Sequence, residues 1–181
     1  MMWLTAFSII AMVVLDQLSK WWATAELLPV GSIPLIPGVL QLRYVLNDGA
    51  AFSMLAGRQG LLIGVTVAAM LVMLGILLLG KAENGLVHWS LAMIVGGGIG
   101  NLIDRVLNGV VVDYFEVLFM EFAVFNVADC FVVVGCILLF IGILFSERIQ
   151  AYSAKKKGTV VPAAEKNAVS AENTEEMPDA E

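Results

Sequence analysis

Four stretches of this chain are apolar for about the length needed to cross a bilayer, and they bound every other reading. The first runs from Trp3 to about Trp22, and the second from Leu61 to Leu79 without a single charge. The third runs from Leu86 to about Ile103 and the fourth from about Phe125 to Phe145. A hydrocarbon core of about 30 Å takes about 20 helical residues at ~1.5 Å rise each. Inside lipid the backbone amides have only one another as partners, so helices are the natural form for such runs. A mean hydropathy of +0.90 over 181 residues leaves more apolar surface than a water-soluble domain can hide. The fold class predicted is therefore an all-α membrane protein, a bundle of four transmembrane helices.

The first span invites comparison with a cleavable signal peptide, because Ala23-Thr24-Ala25 reads as a cleavage site. Against this, no Lys or Arg precedes the apolar run, and Asp16, Gln17 and Lys20 interrupt it. Asp16 and Lys20 stand four apart, acid first, the favourable order for a helical ion pair. Trp21 and Trp22 then suit an interfacial aromatic belt. A retained helix is expected. Arg148 and Lys155–Lys157 follow the fourth span, and positive residues stay inside. Both termini and Lys81 are thus expected in the cytoplasm, with the loops at roughly 23–60 and 104–124 outside.

Those outer loops carry a second pattern. Pro29, Gly31, Pro34, Pro37 and Gly38 mark turns. Leu40, Leu42, Tyr44 and Leu46 then alternate with Gln41, Arg43 and Val45, close to the period of a half-buried strand, and Asp48-Gly49 follows as a turn. In the second loop Asn108-Gly109 predicts a hairpin turn before Val110-Val111-Val112, with Asp113 at the strand's end. A small extracytoplasmic β element resting on the bundle is predicted. The formal charge of −6 is spread along the chain, with five Lys/Arg and seven Asp/Glu from Ser146 onward and five and nine before it, and no basic patch interleaved with aromatics suggests nucleic acid as a partner. Residues 1–147 are read as the membrane domain and 148–181, poor in apolar residues, as a disordered cytoplasmic tail. Cys130 and Cys136 lie six apart on different helical faces and read as packing residues.

Ionisable and amide groups near the membrane are costly to bury, so they carry the functional argument. In the third span Gly97, Asn101 and Asp104 share a face, and Gly96 and Gly100 form a close-packing step. Packing and an Asp104-Arg105 anchor account for much of this, but not for Asn101. The fourth span opens Asn126-Val127-Ala128-Asp129, where a plainer reading makes Asn126 a helix cap with Asp129 complementing the dipole. Asp113 by itself reads as an ordinary turn acid. Taken together, Asp113 and Asp129 fall at one membrane face, sixteen residues apart. Two close carboxylates do not both ionise readily, so one activates water while its protonated partner donates. The sole histidine, His88, lies at the other end of the third span and reads as an interfacial residue beside Trp89. No metal and no cofactor is expected.

The sequence resembles the lipoprotein signal peptidases (signal peptidase II). The segments that carry the resemblance are Asp16-Gln17-Leu18-Ser19-Lys20, Asn47-Asp48-Gly49-Ala50-Ala51-Phe52-Ser53 and Gly100-Asn101-Leu102-Ile103-Asp104-Arg105. Gly109-Val110-Val111-Val112-Asp113 and Phe125-Asn126-Val127-Ala128-Asp129 complete the set, over roughly residues 1–147. The resemblance implies a catalytic dyad of Asp113 and Asp129, with Asn47, Asn101, Arg105, Asn126, Asp16 and Lys20 as substrate-binding or supporting residues. Asp104 falls on a position expected to be structural, and Cys130 stands where the family more often has a small hydroxyl residue. The implied substrate is a diacylglyceryl-modified prolipoprotein, cut just before its lipid-bearing cysteine by a monomeric enzyme in the bacterial inner membrane. Two other classes fit the spans less well. An ion-coupled transporter needs polar groups through the membrane depth, often in repeated halves, and a purely structural tetraspan subunit does not need the paired aspartates.

Overall fold

The computed structural model describes residues 2–49, 57–82 and 84–159, with side chains described as far as Phe145. Ala50–Ser53 of the second motif lie outside the described residues. Every predicted span is a helix. In chain order these are α1 (Met2–Trp22), which continues through one π turn (Ala23–Leu27) into the short α2 (Leu28–Val30), then α3 (Gln59–Leu78), α4 (Gly85–Asn108) and α5 (Val127–Thr159). Three strands, β1 (Ser32–Ile36), β2 (Leu40–Asn47) and β3 (Val111–Val117), form an antiparallel sheet in the order β1-β2-β3.

α4 is the helix that the others pack on, and its glycines explain why. Successive residues on a helix point about 100° apart, so Gly96, Gly97 and Gly98 open three directions in turn. A Cβ on Gly96 would meet Met12 of α1, one on Gly97 the Ala128 carbonyl and Val132 of α5, and one on Gly98 Met70 of α3. Gly100, one turn beyond Gly96, lies against Asp16 of α1. Without side chains at these positions, three helices approach the backbone of one. Apolar side chains close the rest: Met70 and Leu77 of α3 pack with Leu91, Ile94 and Val95 of α4.

The stretch considered as a cleavage site is wound into the fold. Ala23 and Leu27 of the π turn are fully buried against Leu42 and Tyr114, so the end of α1 carries the sheet. Gly31, at φ 80°, stops α2 by donating to the Leu27 carbonyl at 2.8 Å.

Several local expectations change. Pro34 does not mark a turn: it pairs with Gln41 inside β1, an edge strand, where a missing N–H faces no partner. Asn108-Gly109 is no hairpin turn either. Asn108 ends α4, and Gly109 caps it in the left-handed region at φ 72°, donating to the Arg105 carbonyl. The β2 alternation holds through Leu42, then a bulge between Leu42 and Val45 inserts one extra residue and leaves Leu46 exposed. Asp113 stands within β3 rather than at its end. By internal contacts the residues up to Gly142 form one unit and those from Ile143 a second. In the second, helical backbone continues to Thr159, past the boundary expected at residue 147. Ala151, Ala154 and Lys155–Lys157 are good helix formers.

Candidate active site

Asn126 organises the site. It precedes α5, and its Oδ1 accepts the Asp129 N–H at 3.0 Å while Asp129 Oδ2 accepts the Asn126 N–H at 3.0 Å. This reciprocal box is the capping arrangement that the local sequence suggested. The cap does not exhaust Asn126, which is fully buried. Its amide Nδ2 reaches Asp113 Oδ1 at 2.6 Å, Asn101 Oδ1 at 3.0 Å and the Val112 carbonyl at 3.3 Å. The cap and the polar cluster are one structure.

The strands bring Asp113 to this helix end. Phe125 exchanges backbone hydrogen bonds with Phe115 at 2.8 and 3.1 Å, which pins the segment before α5 against β3. Asn47 pairs with Val111 across β2 and β3, so its amide reaches Asp113 diagonally, donating to Oδ2 at 2.8 Å. Asn47 Oδ1 meanwhile accepts the Gly49 N–H, which fixes the bend after the strand. Asp113 is only 2% exposed, and burial pushes its carboxyl up to about 6. The Asn47 hydrogen bond opposes that shift, the Asp129 charge adds to it, and Asn126 and Lys20 oppose it. Asp129, half-buried at the third position of α5, accepts from Asn101 Nδ2 at 2.8 Å.

Behind these acids lies a buried ionic cluster. Lys20 Nζ stands 2.8 Å from Asp16 Oδ2, 3.0 Å from Asp104 Oδ2 and 2.8 Å from Asn101 Oδ1. An ammonium has three protons to give, and three acceptors are present. Asp16 Oδ1 accepts the Ala128 N–H at 3.0 Å, tying α1 to the first turn of α5. Asp104 joins α1 to β3 through Gln17 at 3.0 Å and the Val112 N–H at 3.4 Å, consistent with the structural reading of that residue. Arg105 donates to the Gly49 carbonyl at 3.0 Å and has no described partner at its buried Nε.

All eight residues singled out from the sequence therefore meet at one end of the bundle. Asn47, Asn101, Arg105, Asp113 and Asp129 line a cavity of about 480 Å³, whose remaining wall is mostly apolar and includes Phe122, Phe125, Cys130 and Val132–Val134. Asp16, Lys20 and Asn126 support it from behind. Cys130 lines the cavity and Cys136 is exposed; both thiols are free, so the packing role expected for Cys136 does not hold. His88, in the first turn of α4, is buried, with Nε2 2.8 Å from Thr5 Oγ1, because α1 packs along α4 to its start. Three contributors went unread in the sequence. Gln17 bridges Asp16, Asp104 and the Gly100 carbonyl, and the Tyr114 hydroxyl donates to Ser19 at 2.6 Å. Gln17 and Ser19 sit inside a quoted motif, whereas nothing local marks Tyr114.

Comparison with known proteins points one way. Residues 8–145 match the profile of the family described as signal peptidase (SPase) II. A lipoprotein signal peptidase of Caldanaerobacter subterraneus subsp. tengcongensis is 48% identical over 135 residues, covering 74% of this chain and 92% of the relative. One from Clostridioides difficile strain 630 is 43% identical over 140 residues, covering 77% and 93%. A bacterial membrane enzyme structure obtained by the in meso method superposes with a TM-score of 0.73 at 27% identity, over 87% of this chain and 94% of that one. A second superposes at 0.69 and 28% identity, over 77% and 92%.

Proposed function

This chain belongs to the signal peptidase II family, and from that membership we propose that Asp113 and Asp129 are the pair that cuts its substrate. It is a multi-pass membrane aspartic peptidase that removes signal peptides from prolipoproteins. The observation that carries the assignment of the pair is the shared environment of the two carboxyls. Both line one cavity, and both are held by Asn126.

The chemistry needs one proton between them. The ionised carboxylate takes a proton from water as its oxygen bonds to the scissile carbonyl carbon. The protonated carboxyl gives its proton to the carbonyl oxygen, forming a neutral tetrahedral diol. Collapse of the diol breaks the C–N bond, the amine nitrogen takes up a proton, and a hydroxyl proton returns to the dyad. Asn47, Asn101 and Asn126 orient the two acids, and Arg105 lines the same cavity. The apolar wall of Phe122, Phe125 and Val132–Val134 suits a substrate whose signal helix and diacylglyceryl chain both lie in lipid, with cleavage just before the lipid-bearing cysteine. The lysine bias supports an outer-face site and cytoplasmic termini. Residues 1–147 are the peptidase unit in this reading, and the charged tail is dispensable to it.

The test is Asp113→Asn and Asp129→Asn at matched protein level. Each keeps size and hydrogen bonding but cannot exchange a proton, and each should lower cleavage of diacylglyceryl-modified prolipoprotein by about 10²–10⁴-fold or more. Near-wild-type turnover in either variant refutes the assignment. Asp104→Asn should instead show itself as reduced yield.

A further inference from the structure

An asparagine amide has one end that accepts and one that donates, and fixed neighbours decide which end faces which group. Asn101 lies between Lys20 and Asp129 at 2.8 Å from each. An ammonium only donates, so the Asn101 oxygen must face Lys20, where it also receives the Asn126 amide at 3.0 Å. Its NH₂ is left to face Asp129. We propose that Lys20 is a positioning residue for catalysis: by holding the Asn101 oxygen it directs the Asn101 NH₂ onto Asp129, which makes Asp129 the ionised base and leaves the proton on Asp113.

The backbone agrees with this division. Asp129 accepts a main-chain N–H and sits in the first turn of α5, where the helix dipole favours negative charge. Asp113 lies on a strand rather than at a helix N-terminus and is 2% exposed, and burial raises its carboxyl to about 6 in spite of the two side-chain amides that donate to it. The charges around the pair agree as well. From α1, Lys20 is matched by Asp16 and Asp104 on its far side. From α4, Arg105 faces both aspartates. From α5 itself comes only the Cys130 thiol, and from β3 Asp113. Among the described residues, then, Arg105 alone is left to balance the pair, enough for one ionised carboxylate and not two.

The proposal rests on the dyad reading, and the experiment separates the two. The pH dependence of kcat is measured on a diacylglyceryl-modified prolipoprotein in lipid for the wild type, Lys20→Met, Asn101→Leu, the double variant and Lys20→Arg. Each single apolar variant should move the acid limb upward by about one pH unit. The double variant should move it no further, because both changes break one relay. Lys20→Arg, which still donates to Asn101, should restore most of the wild-type limb. Lys20→Met leaves two acids without their cation, so it is also made together with Asp104→Asn, which keeps the measurement possible if yield falls. An unmoved acid limb in Lys20→Met, or shifts that add in the double variant, overturns the proposal. Asp113→Asn and Asp129→Asn run in the same assay, and turnover by either would instead sink the dyad reading itself.

Discussion

A methyl group at Gly97 tests how the site is held, at a position that touches no reacting atom. A Cβ there overlaps the carbonyl oxygen of Ala128 and lies 2.9 Å from a Val132 methyl. That carbonyl is backbone in the first turn of α5, one residue before Asp129, so no rotamer change relieves the clash. Carbon–oxygen contacts settle at about 3.3–3.6 Å, which requires α5 to back away by on the order of 1 Å. Overpacking of this kind costs about 1–3 kcal/mol of stability, and a 1 Å misplacement of catalytic groups can cost about 10²-fold in rate. Gly97→Ala should therefore insert, melt lower and lose about 10²-fold in kcat. Gly98→Ala is the control. Its Cβ meets Met70 Cε at 2.5 Å and Sδ at 2.7 Å, the far end of a flexible side chain that can swing away. It should keep kcat within about twofold. Single-turnover cleavage of lipid-modified prolipoprotein, with thermal melting of the same samples, measures both. Wild-type kcat in Gly97→Ala, or equal damage in Gly98→Ala, would refute the reasoning.

Other expectations follow from the same contacts. Because the folded protein holds the Asp113 proton better than the unfolded chain, that group's stabilisation is complete below about pH 4 and lost as pH rises through about 6. Asp113→Asn removes the dependence, so its stability relative to wild type should improve as pH rises from about 4 to about 6 and level off above that, by at most about 3 kcal/mol in all; a flat difference in melting temperature across that window contradicts this. Tyr114→Phe deletes the 2.6 Å hydrogen bond to Ser19 and should lower stability by about 1 kcal/mol while leaving kcat unchanged. In a background without Cys130 and Cys136, single cysteines in residues 26–49 should label from outside intact cells and those near Lys156 should not. The opposite pattern reverses the topology.

What the sequence made legible was whatever depends on composition over a long window or on chemistry repeated in separate places. The spans follow from hydropathy, and Asn101, Asp113, Asn126 and Asp129 stood out as polar groups near the membrane, while Asp16, Lys20, Asn47 and Arg105 became site residues only through the family motifs they sit in. The turns were harder, because one dipeptide serves several ends. Asn108-Gly109 fits a hairpin and a helix cap equally, and only the approach of β3 to α4 decides. Pro34 signals a turn until the sheet order makes β1 an edge. The bulge after Leu42 has no local mark, so the inward face of β2 was misread beyond it. The contact that buries His88 had no local sign, because the Thr5 hydroxyl it meets is 83 residues away.

Asn126 starts α5 and holds both carboxyls, so winding the first turn of that helix and assembling the dyad are a single event. Helix ends are where local opening costs least, and opening here separates Asp129 from its amide partners without unfolding the bundle. A frayed first turn would leave no pair of acids held together over the cavity. Protection of the Ala128 and Asp129 amides against hydrogen exchange is then a direct reading of how often the active site exists.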